Sequence, residues 1–383
     1  MIQLSQAFRP QIRAEIVFGP PMREGNTIVY HMKDTCTGWF YRIRTQEYFL
    51  ISRMDGTKTL EEIGAEYERT FHRRLSTQSW AQLFSLLEKR SLLLDGADAE
   101  KLENLKAAAK LQRSKKMRGL LLWRFPLLSP DRFLTRLLPW VRFAFHPVFV
   151  YPSLLLIGLL EVFYLFHMQA ARVDFLWGLN HYQSVPLVLL LYGLIALFLA
   201  VHELAHGLAC KYFGGSIQEM GIGWRLIYPF AYCKIDDVVL FHNRWHRVYT
   251  AFAGVFVNLL MVIPFAVLWW LSPEHSFART VGVLGFFSLN LLVLSNLLPF
   301  APLDGSLMLS YALNIIDLRK HGYTIWLQGV KRIFLRKPGK IIHYQGASKY
   351  IYLIYGLLSM ITLVMFLGSV LFLLLASLHL TFL

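Results

Sequence analysis

The chain has 383 residues, 55% of them hydrophobic and only 16% charged, whereas an average soluble protein carries about 25% charged residues. Its apolar residues fall in runs too long for a soluble core, which excludes an ordinary soluble globule and, with it, the collagen-like, coiled-coil and disordered classes. The net charge of +15, from 39 Lys and Arg against 24 Asp and Glu, fits nucleic acid, an anionic lipid surface or the loops of a membrane protein, so its placement along the chain has to decide.

Cys36, Cys210 and Cys233 are too few for a disulfide framework, and no two stand in a CxxC arrangement. The first twenty residues lack the charged start and apolar stretch of a secretory signal, so the N-terminal part is expected in the cytoplasm.

Residues 27–98 read as soluble. An apolar/polar alternation around 39–51 is followed by a turn at Met54-Asp55-Gly56 and two stretches of helical period, with Leu60, Ile63, Tyr67 and Phe71 in the first and Trp80, Phe84, Leu87 and Leu92 in the second. Thr59 and Glu62 have capping-box spacing at the first helix start. A small strand-turn-helix-helix unit is predicted. Residues 101–118 are a basic helical linker, and 119–142 mix Leu, Phe and Trp with Arg124, Arg132, Arg136 and Arg142, as in an amphipathic segment at a bilayer surface. The predicted organisation is therefore a domain over 1–110, a linker and interfacial segment over 111–142, and a membrane domain over 143–383.

Five apolar segments follow, at 143–168, 185–213, 248–271, 277–300 and 351–378, each long enough to cross the roughly 20 residues of hydrocarbon. With a cytoplasmic N-terminal domain, the loops 169–184 and 272–276 lie outside and 214–247 and 317–349 inside. The outer loops and their edges hold only Arg172 and Arg279, whereas the inner ones hold twelve Lys and Arg. The positive-inside rule thus supports this orientation, with the C-terminus outside, and assigns the charge to anionic headgroups rather than nucleic acid.

Within the second crossing stands His202-Glu203-Leu204-Ala205-His206-Gly207. Residues four apart share a helix face, so both imidazoles can reach one ion while Glu203 can contact a water on it. Two nitrogens and a carboxylate leave the fourth tetrahedral position of Zn²⁺ open, as hydrolytic sites need, and ionisable residues inside a membrane are costly unless they are used. A third ligand is therefore required. Glu161 lies towards the outer end of the first crossing, while Asp304 follows the fourth, in Asn296-Leu297-Leu298-Pro299-Phe300-Ala301-Pro302-Leu303-Asp304-Gly305. The second and fourth crossings run in the same direction, so Asp304 falls on the side of His202 and His206 and Glu161 does not. Pro299 and Pro302 break the helix there and allow irregular backbone where it lines a site.

His202–Gly207, then Ala253-Gly254-Val255-Phe256-Val257-Asn258, then the stretch ending in Asp304-Gly305 resemble, in order, the three signature segments of the site-2-protease family of intramembrane zinc metalloproteases. The resemblance covers about residues 185–310. It implies that His202, His206 and Asp304 bind zinc, that Glu203 is the catalytic acid and base, and that Asn258 helps to hold the substrate backbone. Val255 stands where the family usually has proline.

Within that family the chain is similar to bacterial peptide zinc metalloproteases, through Phe213-Gly214-Gly215, Gly221-Ile222-Gly223 and residues 232–238. This loop reads either as a plain connection or as a small β-hairpin whose edge pairs with a substrate strand. Gly215 and Asn296 join Asn258 as candidate substrate contacts.

Residues 39–94 resemble the PqqD-type, winged-helix-like domains that bind leader peptides in ribosomal peptide maturation. A winged-helix DNA binder using Arg69, Arg73 and Arg74 is the rival, but no helix with base-reading side chains stands out. Cys210, one turn beyond His206, reads as a small buried residue, and His242 with His246 as surface or headgroup contacts.

The expectation is a mainly α-helical multi-pass membrane protein with a small N-terminal α+β domain, acting as a zinc endopeptidase in the bacterial cytoplasmic membrane. Its partners would be a ribosomally made peptide or a membrane-anchored protein as substrate, anionic lipid, and a peptide-modifying or export protein. The non-enzymatic alternative is an export, immunity or maturation partner that keeps the fold without cleaving.

Overall fold

A computed structural model describes residues 8–94, 100, 102–108, 118–119, 122–128, 130–181, 185–225, 228–335, 344 and 346–381. The chain divides into two compact units, Met1–Trp123 with Val239–His242, and Arg124–Val238 with Asn243–Leu383. Much of the expected basic linker lies outside the described residues.

In the first unit four antiparallel strands centre on β3 (Thr27–Asp34). β1 (Ile16–Phe18) and β2 (Met22–Glu24) share one edge of β3, and β4 (Trp39–Arg44) pairs along the other, from Val29↔Arg44 to Asp34↔Trp39. The alternation that began at Trp39 ends at Arg44, where α1 (Thr45–Ile51) starts. The Glu47 side chain accepts the Arg44 N–H at 2.8 Å, and Leu50 and Ile51 are buried side by side, which one face of a strand cannot do.

The expected capping box is present at α2 (Leu60–Phe71). Thr59 Oγ1 accepts the Glu62 N–H at 3.3 Å, and Glu62 Oε2 accepts the Thr59 N–H at 2.7 Å. α2 and α3 (Thr77–Lys89) turn Leu60, Ile63, Tyr67, Phe84 and Leu87 onto a core that includes Met32 and Ile43. Each such side chain contributes about 1.5–3 kcal/mol when removed from water. At the end of β3, Asp34 is fully buried. It accepts from Arg13 Nη2 at 2.7 Å, Thr37 Oγ1 at 2.8 Å and the Cys36 N–H at 3.0 Å.

Among its described residues the second unit is mainly helical, its strands being β5 (Leu122–Leu128), which enters it at Arg124, β6 (Glu219–Arg225) and β7 (Tyr228–Lys234), neighbours in one sheet. The glycine-rich loop is thus a hairpin, with register from Glu219↔Lys234 to Arg225↔Tyr228. The interfacial segment is a strand followed by α4 (Pro130–Val141), which buries Leu134 and exposes Phe133 and Trp140. After it come α5 (Pro147–Phe166), α6 (Met168–His181), α7 (Val185–Tyr212), α8 (Arg244–Leu271), α9 (Phe277–Leu297), α10 (Asp304–Ala312), α11 (Leu318–Leu335) and α12 (Ala347–Thr381).

Among the described residues five helices are long and apolar enough to cross a membrane: α5, α7, α8, α9 and Ser348–Ser369 of α12. They match the five segments read from the sequence. α5, α7, α8 and α9 share a core that includes Tyr164, Phe198, Val262, Trp269, Val283 and Leu289, and α12 buries Tyr352 and Tyr355 in a second cluster with Ile315 and Leu318, while residues such as Leu155, Leu189 and Leu291 stay exposed, as a hydrocarbon solvent permits. α6 was not foreseen, because its residues lack an apolar run. It is fixed by Asp174, buried beside α8 and α9, whose Oδ2 accepts from Trp269 Nε1 at 2.8 Å and Arg279 Nε at 2.7 Å.

Candidate metal centre

The HExxH residues lie on the last three turns of α7. The helix is tied down by Lys211 Nζ, 2.9 and 3.0 Å from the Asp131 carboxylate on α4, and is closed by the Gly215 N–H bonded to the Cys210 carbonyl at 2.9 Å. Asp304 is the first residue of α10. Both ends of that short helix are held. At its start a Cβ on Gly305 would stand 2.6 Å from the Leu297 carbonyl oxygen, so only glycine lets α10 begin this close to the end of α9. Beyond its far end, Arg247 on α8 donates from Nη2 to Asn314 Oδ1 at 2.7 Å.

These elements bring together the three residues chosen from the sequence. His202 Nε2 is 2.8 Å and His206 Nε2 3.2 Å from Asp304 Oδ2, and the two Nε2 atoms are 3.1 Å apart. Both histidines are buried. This is the group able to hold a metal ion among the described residues.

The trio fits zinc on three counts. Donors at 2.0–2.1 Å from a tetrahedral ion lie about 3.3 Å apart, close to the triangle seen here. His206 Nδ1 donates to the Thr250 carbonyl at 2.7 Å, which leaves the lone pair of Nε2 facing the trio. Finally, α8 presents Gly254 to the imidazoles: a Cβ there would stand 2.5 Å from His206 Nε2 and 2.6 Å from His202 Nε2.

Asn258 is fully buried, its side-chain amide 3.0 Å from His202 Nδ1, while its Oδ1 is buried with no partner. Exchanging amide O and N lets Oδ1 accept the His202 Nδ1–H, so both histidines would have an acceptor behind the ring and Nε2 towards the trio. The structure therefore sets Asn258 behind His202. α8 runs unbroken through Val255, the position at which the resemblance led one to look for proline. Asn296 is buried in the last turn of α9, with no hydrogen bond to the trio among the described residues. Gly215 is buried at the α7 terminus, and Cys210 is fully buried within α7.

Glu203 is half-buried beside the trio, and its carboxylate accepts the backbone N–H of Cys233 on β7. The hairpin thus packs against the HExxH helix, and a Cβ on Gly207 would meet Cys233 Sγ at 3.2 Å. Burial, followed by the nearby Glu203 carboxylate, pushes the Cys233 thiol up, so it stays neutral. Sequence reasoning passed over Thr250 and the Arg247–Asn314 bond, and it named Gly254 and Gly305 only as members of the signature segments, without a role of their own. Gly254 carried a usable signal, since a glycine inside an apolar helix costs about 0.5–1 kcal/mol and needs a reason such as a close approach.

The model of Peptidase family M50 matches residues 190–277, from within α7 to the start of α9. The match contains the HExxH segment and the Ala253–Asn258 segment, and Asp304 lies beyond it. No curated protein and no solved structure matches the chain. The matched segment is thus similar to metallopeptidases of that family, and with its five helices long and apolar enough to cross a membrane the chain has the make-up of an integral membrane protein.

Proposed function

We propose that the chain is a zinc-dependent endopeptidase that cleaves a peptide bond at membrane depth, with His202, His206 and Asp304 as metal ligands and Glu203 as acid and base. The observation that carries this reading is the 2.8–3.2 Å triangle of donor atoms next to Glu203. Zinc held there would act as a Lewis acid on a peptide carbonyl and lower the pKa of a water to about 7.

Glu203 takes the proton of the attacking water on a carboxylate oxygen and passes it to the departing amine nitrogen. Thr250 and Asn258 fix the imidazole tautomers, so Asn258 acts through His202 as a positioning residue. A transmembrane helix hides its peptide bonds in its own hydrogen-bond ladder, so the substrate must enter extended. The β6–β7 hairpin next to Glu203 supports capture of such a strand by main-chain pairing, with Gly215 and Asn296 as further substrate contacts. The first unit serves to recruit the substrate, a ribosomally made peptide or its leader, at the cytoplasmic face of a bacterial membrane.

The test is metal analysis and a cleavage assay on the purified full chain and its Glu203→Gln variant, with peptides encoded beside it as substrates. Zinc near one equivalent in both proteins and cleavage only by the parent are expected. A variant that cleaves as fast as the parent overturns the mechanism. A zinc-loaded parent that cleaves none of these peptides favours the non-cleaving partner instead.

A further inference from the structure

A cavity of about 690 Å³ lies where α5 begins and α7 ends, lined by Arg142, Phe143, His146, Val148, Phe149 and Tyr212. None of the metal ligands lines it, Tyr212 being six residues beyond His206 on α7, and the endopeptidase reading makes no use of it. Its polar groups are cationic or donors, and no carboxylate lines it. Arg142 is exposed, makes no ion pair among the described residues, and stands 5.8 Å from the Tyr212 ring. His146 caps α5 by accepting the Val148 N–H on Nδ1 at 3.3 Å, so its neutral ring carries the proton on Nε2 and offers a donor.

The walls are aromatic and rigid. Phe143 packs edge-on against Phe149 at 5.1 Å, and Phe145 stacks on Tyr212 at 5.2 Å. Two helices apolar enough to cross a membrane have an end here, α5 its start and α7 its finish, and the exposed Phe143 of the lining and the exposed Trp140, two residues before Arg142, are of the aromatic type enriched at headgroup depth. From its mouth an exposed apolar stripe, Val148, Tyr151, Leu155, Leu159, Val162 and Phe166, runs down α5 in steps of three and four residues. The nearest acidic side chain of α4, Asp131, is already engaged by Lys211.

We propose that this cavity binds the phosphodiester headgroup of an anionic phospholipid, between Arg142 and His146, with the acyl chains along the α5 stripe. A guanidinium and a ring N–H match phosphate oxygens, the volume suits a phosphoglycerol group, and only a lipid uses the polar cavity and the apolar stripe together. Tyr212 ends the helix that bears the HExxH motif, so an occupied site braces the cytoplasmic end of α7 in the orientation proposed above.

The full chain, reconstituted in vesicles of equal parts phosphatidylcholine and phosphatidylglycerol and re-extracted in mild detergent, would be assayed for retained lipid by native mass spectrometry. A several-fold excess of phosphatidylglycerol is expected, lost in Arg142→Gln and kept in Arg142→Lys and in Arg132→Gln, which removes a cation from neighbouring α4. Equal retention of the two lipids, or equal loss in Arg132→Gln, overturns the site in favour of diffuse interfacial charge. Excess inorganic phosphate should leave the lipid bound; complete displacement would reduce the site to a free-phosphate site and overturn the role of the stripe. Thermal melts of the variants separate lost binding from lost folding, and none of these readouts depends on peptidase activity.

Discussion

Gly254 shows how one absent methyl group sets the chemistry of a site. Its position on α8 opposite both imidazoles leaves no room for a Cβ, which would fall 2.5–2.6 Å from the two Nε2 atoms. Gly254→Ala is therefore expected to lower zinc content of the purified protein several-fold while circular dichroism keeps the helical signal; a variant with full zinc content would disprove the tight fit. In the first unit, Asp34 carries a comparable constraint, buried with Arg13, Thr37 and the Cys36 amide on its two oxygens. Asp34→Ala removes the 2.7 Å partner of the buried Arg13 guanidinium and leaves it only the half-exposed Glu15 carboxylate at 3.9 Å, a loss of about 3–5 kcal/mol. Hydrogen exchange on the full chain should show amides of α2 and α3 losing protection, with those of α8 and α9 unchanged.

At the scale of elements, the termini of helices carry much of the information. The capping box at Thr59 starts α2, the Glu47 carboxylate that accepts the Arg44 N–H starts α1, and the Arg247–Asn314 bond and Gly305 fix α10, and so Asp304, against α8 and α9. Within the first unit, Glu66 on α2 is bonded by Lys58 and by Arg53, which hold its carboxyl below the usual range, Lys58 most strongly. Because the folded value is depressed, this stabilisation is complete above the ordinary glutamate value of about 4.3 and is lost as pH falls through the lower, folded one. Exchange protection of α2 should drop over that acid range in the parent and change less in Glu66→Gln. Identical profiles in the two proteins would remove Glu66 as the source.

For the whole molecule, five spans are an odd number, so the two ends of the membrane domain must face opposite sides. Reporter fusions should place residues before α5 and residues after Ser369 on opposite faces, with the N-terminal face cytoplasmic. Two fusions reporting the same face would mean that one of the five helices does not cross. The charge pattern predicts the sense of insertion, since only Arg172 and Arg279 edge the loops on the other side. Arg279 turns out to be engaged by Asp174 rather than free in a loop, a pairing that fastens α6 to α9, while Trp269 ties the same carboxylate to α8.

The five spans, the caps at Thr59 and Glu62, and the His202–Glu203–His206 face were legible in the sequence because each depends on residues within a few turns of one another. Asp304 was legible too, although it is 98 residues from His206, because span direction leaves few carboxylates at the right depth. What the chain alone left open depends on contacts between segments far apart. The switch from strand to helix at Arg44 follows from burial on the first core, and α6 follows from the Asp174 pairing. The choice of hairpin over loop after α7 goes with packing on the HExxH helix, and the location of Asn258 behind His202 follows from how closely α8 approaches α7. Periodicity and spacing are local properties, and one sequence can state them; the distance between two helices is the outcome of every side chain between them, so only the tertiary structure decided it.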